Sequence, residues 1–202
     1  MPIVINGDGT ISGITTGGLP DGIVDTDMIA NNAVTSAKSS GLGGLTVADQ
    51  YAVNAAGNGG DKDPVTGWYR PSNNSRASLN GGVTESSGIF TLPSTGYWRV
   101  DVIIYNVHNV DERYNQFFLE QSTDTGSNWN HCCTNSSSVG SRINSTGHLS
   151  GCMSAVILDV TNISTFRLKL RTNSESNSSS SYLSYDADSN YTCMLFMKLG
   201  DT

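Results

Sequence analysis

Tyr97-Trp98-Arg99-Val100-Asp101-Val102-Ile103-Ile104-Tyr105-Asn106-Val107-His108 puts Trp98, Val100, Val102 and Ile104 on one side of an extended chain and Arg99 and Asp101 on the other. Side chains alternate across a strand, so this stretch has one face for a core and one for water. Phe166, Leu168 and Leu170 alternate with Arg167, Lys169 and Arg171 in the same way. Further strands are expected at Asp49 to Asn54, Trp68 to Arg70, Gly88 to Leu92, Asn115 to Gln121, Ser154 to Thr161 and Tyr182 to Tyr185. Turn-rich Asn73-Asn74-Ser75, Asp124-Thr125-Gly126 and Ser174 to Ser181 separate them. Many short strands with almost no helical signal predict an all-β, antiparallel jelly-roll sandwich.

The final strand breaks the alternation. Tyr191, Cys193, Leu195, Met197 and Leu199 are apolar on one side, and Met194 and Phe196 on the other. Ile103, Tyr105 and Val107 add a second apolar surface on the long strand. A strand that is apolar on both faces lies mid-sandwich or packs against another subunit, so Ile103, Tyr105, Met194 and Phe196 are the expected subunit contacts.

Residues 1–44 have a different texture, with thinly spaced apolar residues among glycines and small polar groups. Ile3, Ile5, Ile11, Ile14, Leu19, Met28 and Ile29 cannot bury one another in so short a stretch. They are expected to anchor an extended arm against identical chains or in a groove on another protein; a disordered linker is the alternative. Asn6-Gly7-Asp8-Gly9, between Ile3-Val4-Ile5 and Thr10-Ile11, is a hairpin signal, and Asp25 to Lys38 allows a turn or two of helix. The expected organisation is an arm over 1–44 and a head over 45–202.

Glycine accounts for 22 of 202 residues, and Ser, Thr, Asn and Gly together for about four in ten, while charged residues are 14%. The net charge is -7 with 11 basic residues, which argues against nucleic acid, whose affinity comes from Lys and Arg displacing counterions. Residues 1–66 hold seven Asp against Lys38 and Lys62. No apolar run reaches the roughly 20 residues of a membrane helix, and Met1-Pro2-Ile3 lacks the start of a signal peptide, so neither membrane insertion nor export is expected.

Ser87-Gly88-Ile89-Phe90-Thr91-Leu92-Pro93-Ser94-Thr95-Gly96-Tyr97-Trp98, the long strand after it, and Thr192 to Asp201 resemble the globular head of complement and tumour-necrosis-factor-like proteins. The version at the C-termini of tailed-phage virion proteins, marine ones especially, is more similar still. It carries segments like Ala48-Asp49-Gln50-Tyr51, Gly67-Trp68-Tyr69-Arg70 and Leu158-Asp159-Val160-Thr161-Asn162, and all three stand here. Asn6 to Gly13, Gly18 to Gly22 and Ala33 to Lys38 similarly resemble the arm of phage fibre proteins. The resemblance implies a ten-stranded, homotrimeric jelly-roll head on a virion surface, made in the host cytoplasm and without catalytic function. Its partners would be itself, phage capsid or tail proteins through the arm, and a host-surface glycan or protein. A short fibre or spike for host attachment fits the short arm, and a capsid decoration or cement protein is the alternative.

No G-x-S-x-G elbow, H-E-x-x-H, phosphate loop or dinucleotide fingerprint occurs, so an enzyme is not expected. Cys132, Cys133, Cys152 and Cys193, with His131 and His148, raise zinc. However, adjacent strand residues point to opposite faces and no C-x-x-C pair exists, so a disulfide or reduced core cysteines compete with it. Asp186, Asp188 and Asn190 alternate as calcium ligands do but lack the glycine and closing acid of a calcium loop, so no cofactor is expected beyond a weak calcium candidate. The polar segments Ser136 to Ser145 and Ser174 to Ser181 are the expected recognition loops.

Overall fold

The computed structural model describes residues 4–5, 7, 11–12, 45–54, 59–72, 76–138, 148–184 and 189–202. The chain divides into two units, Met1–Leu42 and Gly43–Thr202. In the first, β1 (Val4–Ile5) and β2 (Ile11–Ser12) pair antiparallel with Ile5 opposite Ile11. The other anchoring candidates, Ile3, Ile14, Leu19, Met28 and Ile29, and the possible helix at 25–38, lie outside the described residues, as do the side chains of Ile5 and Ile11.

The second unit comprises β3 (Val47–Val53), β4 (Trp68–Tyr69), β5 (Thr84–Ser86), β6 (Ile89–Thr91), β7 (Gly96–His108), β8 (Tyr114–Ser122), β9 (Asn130–Ser138), β10 (His148–Val160), β11 (Arg167–Ser174), β12 (Ser181–Leu183) and β13 (Cys193–Gly200). One sheet runs β10-β7-β13-β3-β4, with β12 continuing beside the end of β7, and the other runs β5-β6-β11-β8-β9. Every pairing is antiparallel. No helix occurs among the described residues.

The core lies where the two inner faces meet. From the larger sheet come Trp98, Val100, Val102 and Ile104 of β7, and from the smaller Phe90, Leu168, Leu170, Phe117 and Leu119. At its centre Phe90 packs within 5.3 to 5.4 Å, centroid to centroid, of Tyr51, Trp68 and Phe196, two of these contacts edge-on as aromatic quadrupoles prefer. The Trp68 indole donates to the Val65 carbonyl at 2.9 Å, and that of Trp98 to the Ser94 carbonyl at 3.1 Å, so both large rings are buried without an orphaned N–H.

This packing corrects the expected subunit contacts. Met194 and Phe196 are completely buried inside one chain, because the even positions of β13 face the smaller sheet. A side chain already enclosed has no area left for a second subunit. Ile103 and Tyr105 sit on the opposite, outer face of the larger sheet and remain half-exposed.

Phe196→Ala should accordingly destabilise the isolated chain, by about 3 to 5 kcal/mol in chemical denaturation, as truncating a core Phe does. If its main effect were subunit dissociation at unchanged chain stability, this placement of β13 would be wrong.

Candidate functional site

Two surfaces of the head stand out, and the first is the outer face of β10 and its neighbours. The register pairs Leu149 with Val107, Met153 with Ile103 and Ile157 with Arg99, so these side chains share the face that looks away from the smaller sheet. Leu149, Met153 and Ile157 are 60%, 65% and 62% exposed. Between them, Ser150, Cys152 and Ser154 point inward, so this half of β10 inverts the usual polarity. Half-buried Leu195 and Met197 of β13, opposite Asp101 and Arg99, continue the apolar face next to Ile103 and Tyr105. The sequence held the signal, since odd positions 149 to 157 read Leu, Gly, Met, Ala, Ile. The expected strand, Ser154 to Thr161, begins after Leu149 and Met153 and so leaves them out.

The second surface is the end of the sandwich where β7, β9 and β11 finish and β8, β10 and β12 begin. The loops 109–113 and 175–180 gather there, and the described start of the other expected recognition segment ends at the same place. Ser136 to Ser138 belong to β9, while 139–145 fall outside the described residues. Beneath the loops is a buried polar network centred on His108, whose side chain has no exposure. Its Nε2 lies 2.7 Å from Ser150 Oγ, and its Nδ1 lies 3.1 Å from Ser181 Oγ, 2.9 Å from the Asn115 amide nitrogen and 3.3 Å from Glu112 Oε2. Asn115 donates to Glu112 at 2.9 Å, Ser176 donates to the other Glu112 oxygen, and Ser137 meets Ser150 at 3.0 Å. The network therefore ties the 175–180 loop to the strand ends. Asn177 adds a further tie by accepting the Asp61 N–H at 2.8 Å.

Ser150, His108 and Glu112 stand in the order of a hydrolytic triad, but the geometry cannot serve one. The imidazole is sealed off, Asn115 and Ser181 share its ring nitrogens, and neither of the two clefts described below is lined by these residues. Burial holds the His108 imidazole below its ordinary value; Glu112 opposes that shift, and His148 adds to it.

The two clefts lie elsewhere. One, of about 550 Å³, has Tyr51, Arg70 and Gly81 to Glu85 in its wall. Here Arg70 donates through Nε to Asp49 Oδ1 at 2.8 Å, and through Nη2 to Asp49 Oδ2 at 2.7 Å, the Tyr51 hydroxyl at 2.9 Å and the Val83 carbonyl at 2.7 Å. The segments Ala48-Asp49-Gln50-Tyr51 and Gly67-Trp68-Tyr69-Arg70 thus meet as one clamp. Burial pushes the Asp49 carboxyl up, but Arg70 and the N–H groups of Gly82 and Gln50 together hold it below its ordinary value. The other cleft, about 350 Å³, includes Asp63, Trp129, Arg167 and Lys169. Lys169 is paired there with Asp63 and, at 3.2 Å, with Glu120, and lies 4.4 Å above the Trp129 ring.

The cation candidates do not converge. Asn190 Oδ1 accepts from Arg76 at 2.8 Å, so a guanidinium occupies the oxygen a calcium ion would need, and Asp186 and Asp188 lie outside the described residues. His131 joins Glu120 at 2.9 Å on the outer face of the smaller sheet, far along the fold from His148 at the start of β10. Cys132 and Cys133 do not point to opposite faces. Cys133 is opposite Leu119 and His131 opposite Glu120, leaving Cys132 as the extra residue of a β-bulge, and both cysteines pack against the core. All four cysteines are free thiols, and no group of three His, Cys, Asp or Glu among the described residues is placed to hold a metal.

No protein-family model matches the sequence, and no curated protein does. Among solved structures, the Eiger TNF from S. frugiperda superposes with a TM-score of 0.60 at 17% identity, covering 79% of this chain and 96% of that one. The head therefore has the TNF-like jelly-roll fold.

The His108 network makes a titration prediction. Its pKa is lowered on folding, so it adds stability above the unfolded value of about 6.5 that is lost as pH falls through 6.5 toward the folded value. The denaturant midpoint should fall between pH 7 and 5, and His108→Gln should flatten that slope; an unchanged slope in the variant would exclude His108 as its source.

Proposed function

We propose that this chain is a non-enzymatic, homotrimeric appendage of a tailed-phage virion, a short fibre or spike that contacts the host surface. The observation that supports it best is the apolar outer face built from Leu149, Met153, Ile157, Ile103, Tyr105, Leu195 and Met197. A sandwich has no internal use for that face, and a patch of this kind calls for protein on top of it. The exposed stripe on the edge strand β10 and the half-buried part on β7 and β13 are different regions of that face. Packing one on the other is a heterologous contact, which gives a ring of three copies when each is turned by a third of a circle from the last.

With that face buried between subunits, the loop end stays free, and its Ser, Asn and Arg113 groups suit polar ligands such as a host glycan or a protein surface. Each head would bind weakly and the assembly would gain by avidity. Residues 1–44 anchor the assembly to capsid or tail proteins. A decoration role, in which the head ornaments or stabilises the capsid, uses the same anchor and the same trimer without a receptor.

Light scattering should give three chain masses for the wild type. Met153→Asp and Ile157→Asp should reduce the particle toward one chain, since each leaves a carboxylate buried at the contact. A wild-type monomer at micromolar concentration would overturn the trimer. Deleting residues 1–44 should leave a folded head that no longer incorporates into particles, and isolated trimers should adsorb to susceptible cells. Absence of adsorption, with particles that lose stability when the protein is missing, would favour decoration instead.

A further inference from the structure

We propose that Cys133 and Cys152 are a redox-responsive pair that closes into a disulfide stapling the two sheets together along their β9–β10 side. These strands belong to different sheets and share no backbone ladder, yet their side chains meet directly. Ser137 Oγ lies 3.0 Å from Ser150 Oγ, and the Asn135 amide donates to the Met153 carbonyl at 2.7 Å. Moving back along β9 from 137 to 135 moves forward along β10 from 150 to 153, so the strands run past each other in opposite directions. The next inward residue of β9 is Cys133, and Cys152 is the inward residue of β10 between these two contacts. Both are partly buried against the same core cluster.

The other two cysteines are placed otherwise. The Cys132 thiol donates to the Leu119 carbonyl at 3.1 Å. Cys193 is fully buried in β13, paired with Ala52 and Ile103, and β7 separates it from β10. Burial raises the Cys152 thiol to about 11, and Cys133 is the neighbouring group that raises it further. Cys152 is therefore protonated and slow to react at neutral pH, and a chain folded in a reducing compartment keeps the pair open.

With a small disulfide such as oxidised glutathione as oxidant, one deprotonated thiol attacks a glutathione sulfur and displaces one glutathione thiolate. The second protein thiolate then attacks the protein sulfur of the mixed disulfide and releases the other. Two protein thiols are oxidised and one glutathione disulfide is reduced to two thiols.

The test incubates the purified full chain with oxidised glutathione between pH 7 and 9 and then denatures it. Titratable thiols should fall from the four of the starting protein to two. The intact mass should drop by two hydrogens with no glutathione retained, and a peptide map should join residues 133 and 152. The rate should rise by about tenfold per pH unit, as expected below a thiol's pKa. Cys152→Ser should block the change and leave a glutathione adduct, whereas Cys132→Ser should leave it intact. Four thiols persisting in the wild type, or a map joining Cys132 or Cys193, would overturn the proposal, and neither result depends on a variant folding.

Discussion

A two-sheet sandwich encloses only the faces that look at each other, and in this protein the larger sheet is apolar on both. That constraint orders much of the structure. The inner faces close over the aromatic group of Phe90, Tyr51, Trp68 and Phe196, where each large side chain contributes on the order of 1.5 to 3 kcal/mol by leaving water. The outer face of β10, β7 and β13 has no counterpart among the described residues of the head, and its apolar side chains would gain by leaving water. Stability of the fold thus draws on one side of these strands and leaves the other side free.

The polar interior follows from the same geometry. At the loop end the sheets are plugged by His108, Glu112, Asn115 and four serines, whose hydrogen bonds close largely on one another. Such a network costs little when every member is satisfied, and it fixes positions more sharply than a greasy plug would, because each bond has a direction. Asp49 and Arg70 do comparable work at the far edge. The guanidinium holds β3, β4 and the segment around Val83 in one arrangement, and the buried carboxylate would be left uncompensated without it.

The sequence made the sandwich legible because β7 and β11 alternate cleanly over many residues, and alternation is a direct consequence of the strand backbone. It also marked the two segments that pair as β1 and β2. It did not reveal β9, whose Asn130-His131-Cys132-Cys133-Thr134-Asn135-Ser136-Ser137-Ser138 has no apolar alternation; that strand lies at a sheet edge and packs through small side chains. Nor did it decide which face of β13 was internal. Both faces are apolar, and only the pairing of Phe196 with Val100 on one side and Asp49 on the other settles the matter. The His108 network was invisible for a different reason: its members come from seven places in the chain, each unremarkable alone. Eleven strands appear among the described residues of the head where the resemblance implied ten, the short β12 filling the space beside β7 that β13 leaves vacant.

The bond from Asn135 to the Met153 carbonyl bears on a hazard of this design. β10 is thirteen residues long, lies at the edge of its sheet and is apolar on its outer face, which is the profile of a template for stray strand addition. A side-chain amide seated on a mid-strand carbonyl occupies one rung of the ladder that an incoming strand would need. The incoming chain would have to displace it and leave the amide without a partner. Asn135 thus blocks one rung of this edge, beside the exposed stripe of Leu149, Met153 and Ile157, against strand addition.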